Sequence, residues 1–129
     1  MQNSGIDVIV RNFPLLMDGL GKTVLVAASA IVISSFGGLL FGVLRMSRNR
    51  IVQGTTKFIL EAFRIVPLMV MLLVGYFVLP RLFNISISGE AVAITVFSLW
   101  GIIEMGELVR GALQSLPKQQ KESALALGL

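Results

Sequence analysis

Between Thr23 and Leu44 the chain carries no charge. That run exceeds the roughly 20 residues a helix needs to cross a ~30 Å hydrocarbon layer. A second apolar run, Ile65 to Leu79, is extended at its start by Phe58-Ile59-Leu60 and interrupted by Glu61, Arg64 and Pro67. The third, Ala91 to Ile103, reaches spanning length only by continuing through Glu104 and Glu107 to Val109, which places carboxylates at membrane depth. The pattern predicts transmembrane helices over 20–44, 58–79 and 89–109. Residues 1–19 mix Ile6, Val8, Ile9, Phe13, Leu15 and Leu16 with Asp7, Arg11 and Asp18, as in a short interfacial helix that Pro14 bends or divides. The first long run is not a cleavable signal, because Met1 to Val10 holds no basic residue and the run is too long. The expectation is an all-α membrane protein, a single domain without internal repeats.

Two features refine the helices. Ala30, Ser34, Gly38 and Gly42 recur every four residues, a face on which another backbone can approach closely. Glu104, Glu107 and Arg110 follow at i, i+3 and i+6 along one side of the third helix. Ionisable groups inside a bilayer are costly and are functional candidates by default, so these residues are the candidate translocation path. Such a group lines a substrate path or pairs with a cation on a partner helix; the competing reading is a local Glu107–Arg110 pair at the inner interface, with Glu104 reaching water. Glu61 and Arg64, at i and i+3, read as a local interfacial pair.

Composition changes the picture by exclusion. Hydrophobic residues make up 55% and charged residues 14%, and mean hydropathy is +0.86. Soluble domains carry about 25% charged residues. Cysteine and histidine are absent, which removes thiolate and imidazole ligands and the commonest general base. No catalytic residue, metal site or cofactor is expected. The net charge of +4 comes from basic residues flanking the apolar runs rather than from one patch, so the bilayer, not nucleic acid, is the partner it implies. Arg45, Arg48, Arg50 and Lys57 lie in the first connection without an acidic residue. Arg110, Lys118 and Lys121 lie in the C-terminal segment, whereas Pro80 to Glu90 holds only Arg81. The positive-inside rule then puts the N-terminus outside and the C-terminus in the cytoplasm of a multi-pass cell-membrane protein. Gly21-Lys22-Thr23 is how a phosphate-binding loop ends, but the required earlier glycine is Leu16 and an uncharged helix follows. Nucleotide binding by this chain is not expected.

The run GELVRGALQSLPKQQKESALALGL, Gly106 to Leu129, leaves the membrane, turns at Pro117 and restarts as a short helix. It resembles the cytoplasmic coupling segment of ATP-binding-cassette (ABC) transporter permeases, E-A-A-x-x-x-G. Glu122, Ala124 and Gly128 match, and Ser123 replaces the middle alanine. More narrowly it is similar to polar-amino-acid uptake permeases, A-E-I-x-R-G-A-x-x-S-I-P-K-G-Q-x-E-A-A-x-A-L-G-L. Glu107, Arg110, Gly111, Ala112, Ser115, Pro117, Lys118, Gln120 and Glu122 fall in place, and Gln119 departs from the family's glycine. Phe63-Arg64-Ile65-Val66-Pro67-Leu68 resembles the family's F-R-G-T-P-L, departing at Ile65-Val66.

The resemblance implies a partial ABC importer permease fold, with 112–129 as the coupling segment. Pro117, Lys118, Glu122, Ala124 and Gly128 would contact a separate ATP-binding subunit. It further implies a second permease copy or paralogue, an extracytoplasmic amino-acid-binding protein, and alternating-access transport of polar amino acids without ATPase activity in this chain. Family members continue with further spans, so the chain is expected to stop inside its coupling loop and not to transport alone. The alternative is a truncated, non-transporting three-span protein with a structural or regulatory role.

Overall fold

Four prolines punctuate the chain, and each marks a helix boundary or irregularity. A computed structural model describes residues 5–128, without the side chains of Lys118, Gln119 and Lys121. The elements are α1 (Gly5–Arg11), α2 (Phe13–Arg45), α3 (Arg50–Ile65), α4 (Leu68–Leu73), a π-helical turn (Val74–Val78), α5 (Leu79–Phe83), α6 (Gly89–Ser115) and α7 (Lys118–Ala126). No strand occurs among the described residues.

Pro14 sits in the first turn of α2, where its missing N–H would be unpaired in any case. The segment 1–19, which Pro14 was expected to bend or divide, is divided at Asn12. Phe13 to Gly19 belong to the long helix. Val66 and Leu116, each preceding a proline, take extended ψ values of 120° and 129° and end α3 and α6. The proline ring excludes the residue before it from the helical region. As a result, residues 58–79 do not form one straight helix. The rod Leu68–Phe83 is bent by 91° from Arg50–Ile65. Near Pro80 the ladder widens, with Leu79 N–H donating to Val74 O, and α5 ends at Asn84 in the left-handed conformation (φ 53°). Ser88 opens α6 by accepting from Ala91 N at 3.2 Å, and Asn49 opens α3 by accepting from Ile51 N at 2.9 Å.

Two helices, Phe13–Arg45 and Gly89–Ser115, are each long and apolar enough to cross a membrane, and the bent pair is a third span if taken together. The 27 residues of α6 measure about 40 Å, so this helix runs past the predicted 109 and takes in Ala112 to Ser115 of the predicted coupling segment.

The principal packing is α2 against α6. The buried residues of α2 are Ala30, Ser34, Gly38 and Gly42, the small-residue face read from the sequence. They meet Gly101, Met105, Gly106 and Val109 of α6 so closely that a Cβ at Gly38 would lie 2.5 Å from Met105 Cβ. Ser34 Oγ donates to Ser98 O at 3.4 Å across this seam. The rod Leu68–Phe83 packs on α6, where Gly75 faces Val92 and Val96.

Candidate functional site

The third-span charges converge with charges from two other helices. Arg64, in the last turn of α3, donates through Nε to Glu104 Oε1 at 2.9 Å and through Nη2 to Oε2 at 3.1 Å. This paired geometry joins the 91° bend directly to α6. The expected local Glu61–Arg64 pair does not form. Glu61 lies instead 3.8 Å from Lys57, because Arg64 turns toward α6, where a carboxylate accepts both its donors.

One turn further along α6, Glu107 accepts from Arg110 Nε at 2.9 Å and from its Nη2, and Arg110 also donates to Gln114. Glu107 holds a second cation too. Arg45, the last residue of α2, brings its Nε within 3.0 Å of Glu107 Oε2. The Arg45 side chain is only 11% exposed, and neither its Nε nor its Nη1 makes a hydrogen bond among the described residues, so it meets Glu107 as a charge contact. In the linear sequence Arg45 stands out only as an orienting charge. The available signal was a cation closing an uncharged run at the depth of a carboxylate on another span.

Two cavities meet at Glu104. A groove of about 1040 Å³ runs along α2 and α6, bordered by Lys22, Ser34, Glu90, Trp100 and Glu104. A smaller cavity of about 410 Å³ is lined by Arg64, Glu104, Glu107, Gly111 and Ser115. Glu104, ion-paired to Arg64, belongs to both linings. At the far end of the groove Lys22 bridges Asp18 at 3.2 Å and Glu90 at 3.6 Å. Gly21-Lys22-Thr23 lies inside α2, with its amides in the helix. It forms no phosphate loop.

Beyond the Leu116–Pro117 break, α7 projects Glu122 and Ser123 into the open, while Ala124 is half-buried. Leu127 N–H donates to Ser123 O and Ala124 O, and Gly128 follows with φ +75°. That positive φ is why glycine suits the position. The side chain of Lys118, assigned to the coupling set, lies outside the described residues, as do residues 1–4 and 129.

A bundle of apolar helices seamed by glycine, with charges only at its ends and along one inner line, defines an all-α multi-pass membrane protein. Residues 30–129 match the family described as "Binding-protein-dependent transport system inner membrane component". The chain belongs to that family of inner-membrane ABC permeases. Among curated relatives, the glutamate/aspartate import permease protein GltK of Escherichia coli is 30% identical over 128 residues, covering 94% of this chain and 57% of its own. The probable glutamine ABC transporter permease protein GlnP of Bacillus subtilis is 32% identical over 119 residues, covering 92% and 54% respectively. The chain thus spans about half the length of the curated relatives it matches. A solved structure titled "Crystal structure of an amino acid ABC transporter with histidines" superposes with a TM-score of 0.82 at 24% identity, over 95% of this chain and 56% of that one. The partial ABC permease fold expected from the sequence is present.

Proposed function

We propose that this chain forms part of the translocation unit of an ABC importer for polar amino acids, driven by a separate ATP-binding subunit that docks on α7. A second permease copy or paralogue and an extracytoplasmic amino-acid-binding protein complete the assembly. The substrate class and the partners rest on relatives described as glutamate/aspartate and glutamine permeases. One observation carries the docking assignment. An exposed helix bearing Glu122 and Ala124 is set off from α6 by Leu116–Pro117 and ends at a left-handed Gly128.

On this reading, α7 transmits movement of the ATPase to α6 through the short Leu116–Pro117 connection. The Arg45–Glu107–Arg110 cluster makes α2 and α6 move together at that end, since both helices are held by one carboxylate. The Arg64–Glu104 pair, whose carboxylate lines both cavities and whose cation lines the smaller one, acts as the gate between the groove and the smaller cavity. Parting it joins the two spaces and frees a cation and a carboxylate, the complements of a zwitterion's two charges.

The test is made in the assembled transporter. Glu122→Lys removes a charge-assisted contact worth roughly 1.5–3 kcal/mol, so ATPase co-purification should fall about tenfold or more. Gly128→Val should abolish substrate-stimulated ATP hydrolysis, because a β-branched residue resists positive φ. Ser123→Ala, which supplies the family's residue, should change neither. Full co-purification and hydrolysis in both Glu122→Lys and Gly128→Val would remove α7 from the coupling role.

A further inference from the structure

The bent second unit leaves α3 in a position its sequence alone did not suggest. The rod Leu68–Phe83 runs antiparallel along α6. Arg64, just before it, pairs with Glu104, and Gly75, within it, faces Val92. Because Arg50–Ile65 is turned by 91° from this rod, α3 lies across the bundle, at the level where α2 ends and the basic residues begin.

Its surface has three faces. Thr56 and Leu60 are buried against the bundle. Ile51, Phe58 and Ile65, spaced by seven, form an apolar stripe with exposures of 77%, 71% and 80%. Arg50 and Lys57, each preceding a stripe residue, lie about 100° round the helix on a polar face. Arg48 stands just before the helix. Among the described residues no carboxylate pairs with Arg48 or Arg50, and Lys57 has only the exposed Glu61. An apolar stripe flanked by a cationic face is the pattern of a helix lying in a membrane interface, and clustered cations beside a span attract acidic lipid.

We infer that α3, with Arg48, Arg50 and Lys57, is a binding site for anionic phospholipid headgroups in the leaflet it faces. The stripe Ile51–Phe58–Ile65 enters the acyl boundary while the cations hold the phosphates. This rests on membrane insertion and on charge complementarity, and does not depend on transport.

The full chain contains no cysteine, so a single fluorophore can be placed at Gly54→Cys, where an added Cβ meets nothing within 4 Å. The labelled chain is reconstituted in phosphatidylcholine vesicles carrying a small fraction of lipid with a nitroxide near the headgroup. In one arm that lipid is phosphatidylglycerol, and in the other phosphatidylcholine. The acidic lipid should quench more strongly. Its relative association constant should fall about fivefold for each of Arg48→Gln and Arg50→Gln, from about 1 kcal/mol per basic residue. The paired Arg48→Lys/Arg50→Lys variant keeps charge and should keep the preference. Equal quenching by the two lipids, or a preference that survives Arg48→Gln/Arg50→Gln/Lys57→Gln, would overturn the site. So would a fluorophore quenched by neither lipid, because the face then lies away from the headgroups.

Discussion

Adding one methyl group at Gly42 tests the seam on which the whole arrangement depends. A Cβ built there lies 2.8 Å from Gly106 O and 2.8 Å from both Cβ and Cγ1 of Val109. Comfortable carbon contacts are about 3.5–4.0 Å, so α2 and α6 must separate by most of an ångström or strain their side chains. Overpacking of that kind costs roughly 1–3 kcal/mol. Gly→Ala also raises helix propensity by about 0.8–1.0 kcal/mol, which would mask part of the loss. The comparison with Gly111→Ala removes that complication. Gly111 lies on the same helix as Gly106, and a Cβ there meets nothing within 4 Å. The difference between Gly42→Ala and Gly111→Ala is therefore steric, about 1–3 kcal/mol, or roughly five- to 150-fold in the unfolding constant. Unfolding by SDS in mixed micelles can be followed through the single tryptophan, Trp100, which borders the groove between the two helices. Gly42→Ala should unfold at distinctly lower SDS than Gly111→Ala. Coincident transitions would refute the close-packed seam. Gly106→Ala, blocked by Phe41 Cδ1 at 2.5 Å and by Gly42 N at 3.1 Å, shares the contact and should not add to Gly42→Ala.

The remaining expectations use the same material. A double-mutant cycle of Arg64→Gln and Glu104→Gln should give a coupling of about 1 kcal/mol, since both side chains are partly exposed, and additive losses would show that the pair carries no energy. Ser88→Ala removes the cap on Ala91 N and should cost about 1 kcal/mol, whereas an unchanged SDS midpoint would mean that water replaces it. For orientation, Ser86→Cys should react with an impermeant thiol reagent on intact cells and Gly54→Cys only after permeabilisation. The reverse pattern would invert the topology drawn from Arg45, Arg48, Arg50 and Lys57.

Much was legible in the linear pattern because its causes are local. Apolar length limits which segments can span, the four-residue recurrence from Ala30 to Gly42 puts small residues on one side of any α-helix, and Pro67 and Pro117 end the helices before them wherever the rest of the chain goes. Glu122, Ala124 and Gly128 resemble a coupling motif in spacing, and Gly128 takes the positive φ that only glycine adopts freely. What the sequence could not decide was direction and pairing across the bundle. Pro67 announced a break but not a bend of 91°, which depends on what α3 and the following rod each pack against. The spacing of Glu61 and Arg64 allowed a local pair, yet Arg64 reaches Glu104, because forty residues away in sequence the folded α6 offers a carboxylate that accepts both its donors. Arg45 became a partner of Glu107 only when α2 and α6 packed along glycine, close enough to bring the end of one helix to the side of the other. Local propensity chose the helices; contacts between residues distant in sequence chose which charges meet.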